Sequence, residues 1–355
     1  MRDTNASRRS FLQTAGPALA SGLAAAGFVG EAFAQKIEHP DAADRGHPAE
    51  GNIWSHDYWA TRGNSKLYMF RKRIGAPQKG EKPLPVLFLV HGSSVSSRSS
   101  FDLTVPGHND YSLMDKFASY GFDVWTMDFE GYGRSSKSEG NSNIADGVED
   151  LKSAVEIVAG ETSQQRYHFL GESSGALRAG AFAMERPERV DRLVLAAFTY
   201  TGKGSPTLAD RGKQLEFYRA HNVRPRDRNM IRSIYTRDKP GTSDPEVGEA
   251  QADAELPFGD SVPTGTYLDM TANLPLVNPL KVEAPVLMAR GQYDGIATDE
   301  DILDFFVKLP KADKQLAILP GLAHSLAMGK NRALFWHVTR EFLTMPKPAD
   351  TEPSA

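Results

Sequence analysis

The sequence predicts an α/β protein with a mostly parallel, doubly wound sheet, helices on both of its faces, and one long insertion. Short apolar runs typical of buried strands alternate with runs typical of helices, before residue 198 and again after residue 284. The stretch between these two blocks lacks the regular alternation of strands and helices, which is typical of an inserted segment. Several polar motifs directly follow strands, where open parallel sheets place their functional sites.

The predicted sheet begins with a hairpin, and strands and helices alternate after it. Strands over residues 53–61 and 66–73 flank the turn-forming Arg62-Gly63-Asn64-Ser65, and this pair is expected at a sheet edge. The continuous apolar run 85–90 is typical of a strand covered on both faces. The next predicted elements are helix 112–120, strand 122–127, helix 144–158, a strand from residue 167, the helix after Ser173, and strand 192–197.

The alternation divides the chain into segments. Residues 35–197 are predicted to form the first part of the core, and residues 198–284 a lid insertion that is helical at 208–221 and 226–235. The second part of the core, residues 285–345, is expected to contain strand 285–290, helix 300–308, strand 315–319 and helix 332–343. The tail, residues 346–355, carries Pro, Asp and Glu and is predicted to be disordered.

The first residues indicate an export signal. Ser7-Arg8-Arg9-Ser10-Phe11-Leu12-Gln13 is a paired-arginine motif, followed by a Gly/Ala-rich run and then Ala32-Phe33-Ala34. Residues 1–34 are therefore predicted to be a twin-arginine signal peptide, because the run is short and too weakly hydrophobic for a membrane span. The mature protein is expected to be periplasmic or secreted from a bacterium, with the export machinery as a transient partner and no stable membrane insertion.

Composition narrows the classes of function. A formal net charge of −4 and the lack of a basic tail exclude a nucleic-acid partner. The absence of cysteine excludes disulfides, thiol chemistry and cysteine-ligated metals. A small-molecule substrate is expected, with no metal and no organic cofactor.

The segment FLGESSGALR, residues 169–178, carries the first catalytic motif. Gly171 and Gly175 flank Ser173 in the pattern G-x-S-x-G, between a predicted strand and a predicted helix. In such a turn the serine adopts a strained backbone conformation, and small neighbours let strand and helix pass closely. The pattern predicts that the Ser173 hydroxyl is exposed as a nucleophile.

Two further polar residues follow late strands. Asp294 comes just after the strand ending near residue 290, and His324 lies in Leu319-Pro320-Gly321-Leu322-Ala323-His324. A serine hydroxyl needs a base to take its proton and a group to orient that base. The order Ser173, Asp294, His324, with a strand ahead of each, predicts a catalytic triad.

With these motifs the chain resembles the α/β-hydrolase-fold enzymes, from about Trp54 to Leu343. The resemblance implies Ser173 as nucleophile, His324 as general base and then acid, and Asp294 as the orienting carboxylate. His91-Gly92-Ser93-Ser94 stands in the place of the family's oxyanion loop. The N–H of Ser93 or Ser94, with that of Ser174, is then expected to bind the developing oxyanion, while His91 braces the loop.

Two glutamates near the predicted triad, Glu130 and Glu172, need an interpretation of their own. Asp128-Phe129-Glu130-Gly131-Tyr132-Gly133-Arg134-Ser135 resembles the family's D-x-R-G-x-G-x-S turn, but Glu130 replaces the usual arginine or histidine. Glu130 is open to three interpretations: a structural carboxylate, which is favoured, a partner of a lid arginine, or an alternative triad acid. Glu172, directly before the nucleophile, is either a structural neighbour or a residue that tunes the site.

The insertion carries charges and aromatic side chains. Its basic first half and acidic second half are expected to pair with each other, although arginines between Arg224 and Arg232 are also candidates to bind a substrate carboxylate. The candidates to line an acyl pocket are Tyr200, Phe217, Tyr218, Tyr267 and Met270.

Together these features predict an exported serine hydrolase that cleaves a carboxylic ester of a small or medium substrate through an acyl-Ser173 intermediate. The same triad supports hydrolysis of a carbon–carbon bond next to a ketone, as well as amidase, lactonase and thioesterase activity. An acyltransferase and a non-catalytic ligand-binding protein on the same fold remain as alternatives.

Overall fold

The computed structural model describes residues 52–346. The predicted signal peptide and all but the first residue of the predicted tail lie outside the described residues. Within them, the predicted α/β architecture is confirmed.

An eight-stranded sheet forms the centre of the fold, in the order β1-β2-β4-β3-β5-β6-β9-β10. The β1–β2 and β2–β4 pairs are antiparallel, and every other neighbouring pair is parallel. The short strands β7 and β8 form a separate antiparallel pair. The strands are β1 Ile53–Arg62, β2 Ser65–Ile74, β3 Val86–Val90, β4 Asp123–Met127, β5 Tyr167–Glu172, β6 Val190–Ala196, β7 Val223–Pro225, β8 Ser261–Pro263, β9 Val286–Gly291 and β10 Lys314–Leu319.

The helices connect these strands, and five short ones lie in the insertion between β6 and β9. They are α1 Ser97–Phe101, α2 Leu113–Ser119, α3 Ile144–Thr162, α4 Ser174–Glu185, α5 Pro206–Gly212, α6 Leu215–Ala220, α7 Arg228–Ser233, α8 Pro245–Glu255, α9 Gly265–Leu268, α10 Asp299–Lys308 and α11 Arg332–Leu343.

The strands of the predicted core occur within about two residues of their expected bounds. The hairpin is also present, with β1 at the sheet edge and Arg62 paired with Ser65 across a two-residue turn. Gly63 in that turn has a φ of 56°, a conformation that glycine adopts without steric cost. The central strands β3 and β4 are buried along their whole length, as expected for a sheet covered on both faces.

Two apolar layers cover the two faces of the sheet. One layer contains α3 and α4 side chains such as Leu151 and Phe182, packed with Phe88 and Phe169 of the strands. The other contains side chains of α2 and α11, such as Phe117 and Phe335. The helices therefore hold the carboxyl ends of the parallel strands in fixed relative positions.

The insertion differs in detail from its predicted helices. The expected helix 208–221 is two helices, α5 and α6, because α5 ends at Gly212, a poor helix former. The expected helix 226–235 is confined to α7, and α8 was not predicted. Asp301 of α10 anchors the start of the insertion by accepting hydrogen bonds from the N–H groups of Tyr200 and Thr201.

Candidate active site

Ser173 occupies a strained turn between β5 and α4. Its φ of 61° and ψ of −126° lie in a region that non-glycine residues rarely adopt. Its own N–H donates to the carbonyl of Ala196 on the neighbouring strand β6, 2.9 Å away. This conformation projects the Ser173 side chain into the pocket at the carboxyl edge of the sheet.

The two glycines of the motif are required by close approach. A Cβ on Gly175 would lie 2.1 Å from the carbonyl oxygen of Val90 in β3, and one on Gly171 would lie 2.3 Å from the carbonyl oxygen of Gly175. Both distances are well inside van der Waals contact, and both involve backbone atoms that are unable to rotate away. The glycines thus allow α4 to start directly against the sheet.

Three side chains from different strand ends meet at this turn. His324 Nε2 lies 2.8 Å from Ser173 Oγ, and His324 Nδ1 lies 2.8 Å from Asp294 Oδ1. Asp294 and His324 are both buried. The structure therefore brings together the serine, histidine and aspartate of the predicted triad in hydrogen-bonding order.

The Asp294 carboxylate is held in its charged form. Burial alone would raise the pKa of Asp294, but His324 and the N–H groups of Ile296 and Ala297 lower it below its usual value. Those two N–H groups donate to Oδ1 at 2.8 and 3.0 Å. A charged, hydrogen-bonded Asp294 keeps the proton of the neutral imidazole on Nδ1 and leaves Nε2 free to accept from serine.

The predicted oxyanion loop lies against the nucleophile. A Cβ on Gly92 would be 3.3 Å from the Ser173 Cβ, and Ser93 Oγ donates to Ser174 Oγ at 2.7 Å. The N–H groups of Ser93, Ser94 and Ser174 donate to no acceptor among residues 52–346. Free N–H groups beside a nucleophile are the donors that an oxyanion hole needs.

His91 sits beneath this loop as a brace. Its Nδ1 is 2.7 Å from the carbonyl of Gly92, and its Nε2 accepts from the N–H of Phe129 at 3.2 Å. Burial, with the nearby Arg178 charge, lowers the pKa of His91 to about 3. The imidazole is therefore neutral, and each of its nitrogens forms a hydrogen bond to the backbone, as expected of a residue that braces the loop.

Glu130 lies away from the triad. Its carboxylate forms an ion pair with Arg62 and accepts a hydrogen bond from Ser65, both at the end of the β1–β2 hairpin. Its N–H donates to Asp150 at 3.0 Å. Of the three interpretations of Glu130, the structure fits the structural one, since its partners are in the hairpin and α3 and include no insertion arginine and no triad member.

A pocket lies around Ser173 and is partly open to solvent. The sheet edge and its loops contribute one wall, and the insertion contributes the other. The lining residues are Gly92, Ser93, Ser94, Val95, Ser100, Phe101, Glu172, Ser173, Arg211, Ile234, Tyr235, Arg237, Gln251, His324, Ser325 and Met328.

The five aromatic and methionine candidates are not among these lining residues. Tyr218 and Tyr267 are buried side by side within the insertion, with ring centroids 5.6 Å apart. Tyr200 packs on Phe305, Phe217 stacks on an exposed histidine, and Met270 lines a separate surface depression. For Tyr218 and Tyr267, burial of the ring inside the insertion explains the difference, because large rings contribute most when fully buried.

Tyr267 nevertheless contacts the site indirectly. Its hydroxyl lies 2.7 Å from Ser94 Oγ in the oxyanion loop. Burial raises the pKa of Tyr267, but the charges of Arg224 and Arg211 outweigh this effect and lower it below its usual value. Tyr267 thus connects the insertion to the loop that is expected to bind the oxyanion.

Glu172 lines the pocket beside the nucleophile. Burial raises the pKa of its carboxyl to about 8, and the nearby Asp294 charge adds to the rise, while the N–H groups of Leu326 and Ala327 oppose it. The Glu172 carboxyl is therefore mainly protonated at neutral pH. Its position makes it part of the pocket wall rather than a partner of His324.

Of the four arginines between residues 224 and 232, three pair with carboxylates of the insertion. The fourth, Arg224, lies over the Tyr267 ring, 4.7 Å from the ring centroid. Arg228 pairs with Glu249 and Asp253, and Arg232 with Glu249, so the expected pairing of the two halves is confirmed there. These ion pairs lie at the surface, away from the pocket. The candidates for binding a substrate carboxylate are therefore not in this group.

Arg226 has a structural role in the same region. It forms a buried ion pair with Glu255 of α8. Glu255 also accepts from the N–H of Ser96 at 2.7 Å and from the Ser99 hydroxyl. This network holds α8 of the insertion against the segment that follows the oxyanion loop.

Two pocket arginines were missed by the sequence reasoning. Arg211 lies at the end of α5, and Arg237 follows α7. Neither belongs to a motif, and the sequence offers many other arginines in the insertion. Only the packing of the insertion on the sheet distinguishes these two.

Among residues 52–346, no group of three or more His, Asp or Glu side chains is arranged to hold a metal ion. No helix in the same range is long and apolar enough to cross a bilayer.

Comparisons with known proteins place the fold and the chemistry in context. A 2-hydroxy-6-oxononadienedioate/2-hydroxy-6-oxononatrienedioate hydrolase of Paraburkholderia phymatum is 32% identical over 128 residues, 34% of this chain and 38% of that protein. Lipase 3 of Drosophila melanogaster is 30% identical over 129 residues, 33% of this chain and 32% of that protein. The chain thus spans only about a third of the length of these curated relatives.

Solved structures are similar over most of the described chain. A carboxylesterase of Bacillus subtilis has a TM-score of 0.59 at 18% identity, covering 83% of this chain and 93% of that one. An enol-lactonase of Burkholderia xenovorans has a TM-score of 0.57 at 16% identity, covering 81% and 100%. At such low identity these matches show the shared α/β-hydrolase fold.

A family model covers the region that carries the triad's aspartate, serine and histidine. The model described as serine aminopeptidase, S33, matches residues 103–331, which is well over half of the chain. Together with the fold, this match establishes a hydrolase enzyme. The chain belongs to the serine aminopeptidase S33 family of α/β-hydrolases.

Proposed function

We propose that this protein is a serine hydrolase that cleaves a carboxylic ester of a small or medium substrate through an acyl-Ser173 intermediate. The observation that carries the proposal is the hydrogen-bonded chain from Ser173 Oγ through His324 to Asp294, 2.8 Å at each step. It is supported by three N–H groups beside Ser173 that have no acceptor within residues 52–346.

In the first half of the reaction, Ser173 Oγ attacks the ester carbonyl while its proton passes to His324 Nε2. The negative charge that develops on the carbonyl oxygen is bound by N–H groups of the oxyanion loop and of Ser174. When the tetrahedral intermediate collapses, His324 gives the proton to the departing alkoxide and the alcohol leaves. Ser173 is then an ester of the substrate's acyl group.

In the second half, water replaces the alcohol. His324 Nε2 takes a proton from the water, which attacks the acyl carbonyl and forms a second oxyanion in the same place. Collapse of this intermediate returns the proton to Ser173 and releases the carboxylic acid. Asp294 remains charged throughout and stabilises the imidazolium form of His324.

An aminopeptidase activity, which the family description names, is less well supported by the pocket. An aminopeptidase binds the positively charged amino terminus of its substrate. Arg211 and Arg237 both line this pocket, and Glu172 is mainly protonated at neutral pH. The two guanidinium groups would repel an ammonium ion, and a neutral carboxyl group would not offset that repulsion.

A second candidate is hydrolysis of a carbon–carbon bond next to a ketone. The relative from Paraburkholderia phymatum is named as a hydrolase of a 2-hydroxy-6-oxo dienedioate, and it is 32% identical over 128 residues. The same nucleophile, base and oxyanion donors would serve this reaction. The comparison of an ester with a 2-hydroxy-6-oxo dienoate as substrate distinguishes the two activities.

The insertion and the amino terminus complete the proposal. The insertion acts as a lid, supported by its contribution of Arg211, Tyr235 and Gln251 to one wall of the pocket.

The paired arginines of residues 7–13 support export through the twin-arginine route. Export is tested by cell fractionation, in which replacement of Arg8 and Arg9 by lysine should retain the protein in the cytoplasm.

The activity is tested with 4-nitrophenyl esters of increasing acyl length. Residues 35–355 should hydrolyse at least one of them, and Ser173→Ala should abolish the turnover. The acyl length with the highest kcat/KM measures the depth of the pocket. Equal turnover by both proteins, or no turnover of any ester by the wild type, would contradict the proposal.

A further inference from the structure

Two arginines of the insertion face the pocket that holds the nucleophile. Arg211 occupies the last turn of α5, and Arg237 follows α7 by a few residues. Both line the same pocket as Ser173 and His324. Both arginines thus contribute to the wall of the pocket that contains the nucleophile.

Neither arginine is fully neutralised by the protein. Among residues 52–346, the Arg211 side chain has no hydrogen bond or ion pair, and its contact is the face of the Tyr267 ring, 5.1 Å from the guanidinium carbon. Arg237 pairs through Nε with Asp238 at 3.3 Å, while its two terminal nitrogens have no partner in that range. Glu172 is the acidic residue in the pocket lining, and it is mainly protonated at neutral pH.

Other arginines of the insertion are paired with carboxylates or lie outside the pocket lining. Arg224 has no ion pair among residues 52–346, but it packs on the Tyr267 ring and does not line the pocket. Arg226 and Arg228 each have a carboxylate within hydrogen-bond distance, and Arg219 has Glu216 one helical turn away. Against this background, two incompletely paired arginines in one pocket are a distinct feature of the catalytic centre.

The two charges are also close enough to disfavour each other. Burial, followed by the like charges of Arg237 and Arg224, lowers the pKa of Arg211 to about 10. Arg211 therefore stays charged at neutral pH, but in a pocket that lacks a counter-charge. A bound anion offsets this cost, because charge-assisted hydrogen bonds from arginine to a carboxylate are strong and geometrically specific.

We propose that Arg211 and Arg237 form a subsite for a carboxylate carried by the substrate, so that the preferred substrates are esters with a second, ionised acid group. Such substrates are half-esters of dicarboxylic acids, or esters whose alcohol part bears a carboxylate. The inference rests on the proposed function, since it names the substrate class of the same site.

Two substrate pairs test the subsite. Mono-4-nitrophenyl adipate is compared with 4-nitrophenyl hexanoate, and 4-carboxyphenyl butyrate with phenyl butyrate, each against its rate without enzyme. We expect kcat/KM for the acidic member of at least one pair to exceed that of the neutral member about 10- to 100-fold. In Arg211→Gln and Arg237→Gln this preference should shrink about tenfold or more, while turnover of the neutral ester persists.

The controls separate charge from folding. Retained turnover of the neutral ester shows that the variants fold, and Arg211→Lys should restore part of the preference. Arg219→Gln removes a paired surface arginine of the neighbouring helix α6 and should leave the preference unchanged. The inference is overturned if the acidic members of both pairs are no better than the neutral ones, or if Arg219→Gln lowers the preference as much as Arg211→Gln.

Failure of the proposed function gives a different result. In that case no ester of either pair is hydrolysed, and the subsite is measured by calorimetric titration with adipate. Binding by the wild type that is weakened at least tenfold in Arg211→Gln supports the subsite independently of catalysis. No heat of binding to the wild type at millimolar adipate, with no turnover, contradicts it.

Discussion

The Ser94 hydroxyl of the oxyanion loop lies 2.7 Å from the hydroxyl of Tyr267, which is fully buried in the insertion. The insertion therefore reaches the oxyanion loop through this hydrogen bond and through a second one, from Arg226 Nη1 to the Ser94 carbonyl oxygen at 3.2 Å, as well as through the pocket wall. Because oxyanion donors are effective only when correctly placed, the bond between Tyr267 and Ser94 should affect the chemical step more than substrate binding.

Tyr267→Phe removes that hydrogen bond and leaves the ring in place. We expect kcat to fall about tenfold, with KM nearly unchanged, because the oxyanion loop loses a fixed contact. Steady-state kinetics on one ester provides the measurement. Tyr218→Phe is the matched control, since the Tyr218 hydroxyl bonds to Gln214 within the insertion and does not reach the loop. Equal losses in both variants would contradict a specific role for Tyr267.

Replacement of the two candidate acids distinguishes their roles. Asp294→Asn removes the charge that holds the His324 tautomer and should lower kcat about 10³- to 10⁴-fold. Glu130→Gln should change kcat less than about threefold, because the Glu130 partners Arg62 and Ser65 lie in the hairpin. Similar losses of kcat in the two variants would show that Glu130 shares the orienting role.

The sharp turn at the nucleophile depends on Gly175. In Gly175→Ala the new Cβ would lie 2.1 Å from the Val90 carbonyl oxygen, so the turn must shift and kcat should fall at least 100-fold. Gly160→Ala is the control, because nothing lies within 4 Å of a Cβ at that site on α3. The control should keep full activity and gain about 0.5 to 1 kcal/mol of unfolding free energy, as measured in urea. Full activity of Gly175→Ala would contradict the turn geometry.

The raised pKa of the Glu172 carboxyl predicts that enzyme activity declines at alkaline pH. Its carboxyl, with a pKa of about 8, is neutral below that pH and gains a negative charge above it. The new charge would lie near the charged Asp294 and the two pocket arginines, oppose the developing oxyanion and weaken binding of an acidic ester. Above about pH 8, kcat/KM should therefore fall in the wild type but not in Glu172→Gln. A pH–rate profile that is identical in both proteins would contradict this assignment.

The same shift has a consequence for stability. Because the pKa of Glu172 is higher in the folded protein than its usual value of 4.5, the folded state binds more protons between these values. The contribution of this group to the unfolding free energy is therefore greatest below about pH 4.5 and is lost as the pH rises towards 8. The unfolding free energy, measured with urea, should therefore fall between pH 5 and pH 9 by less in Glu172→Gln than in the wild type.

Much of the core and triad could be predicted because local rules decide them. Strand β3 is a continuous apolar run, and the chain order of Ser173, Asp294 and His324 at strand ends is visible in the sequence. Helix α8 also carries a sequence signal, since Asp244-Pro245 is a typical helix start.

The rest of the site depends on how the insertion packs. No periodic pattern separates Arg211, which faces the pocket, from Arg228, which faces acidic side chains of α8. Tyr267 was expected to touch substrate because it is aromatic, but burial of its ring inside the insertion dominates. Side-chain direction in a short-helix insertion follows from tertiary contacts, which sequence patterns do not encode.

A covalent acyl group on Ser173 is detected by intact-protein mass spectrometry after rapid acid quenching. Mixing the enzyme with a 4-nitrophenyl ester should add the mass of one acyl group, and fragmentation should locate it on Ser173. Ser173→Ala should show no added mass and no turnover. An acyl group on another residue, or turnover by the wild type with no adduct at any quench time and undiminished turnover in Ser173→Ala, would contradict the account.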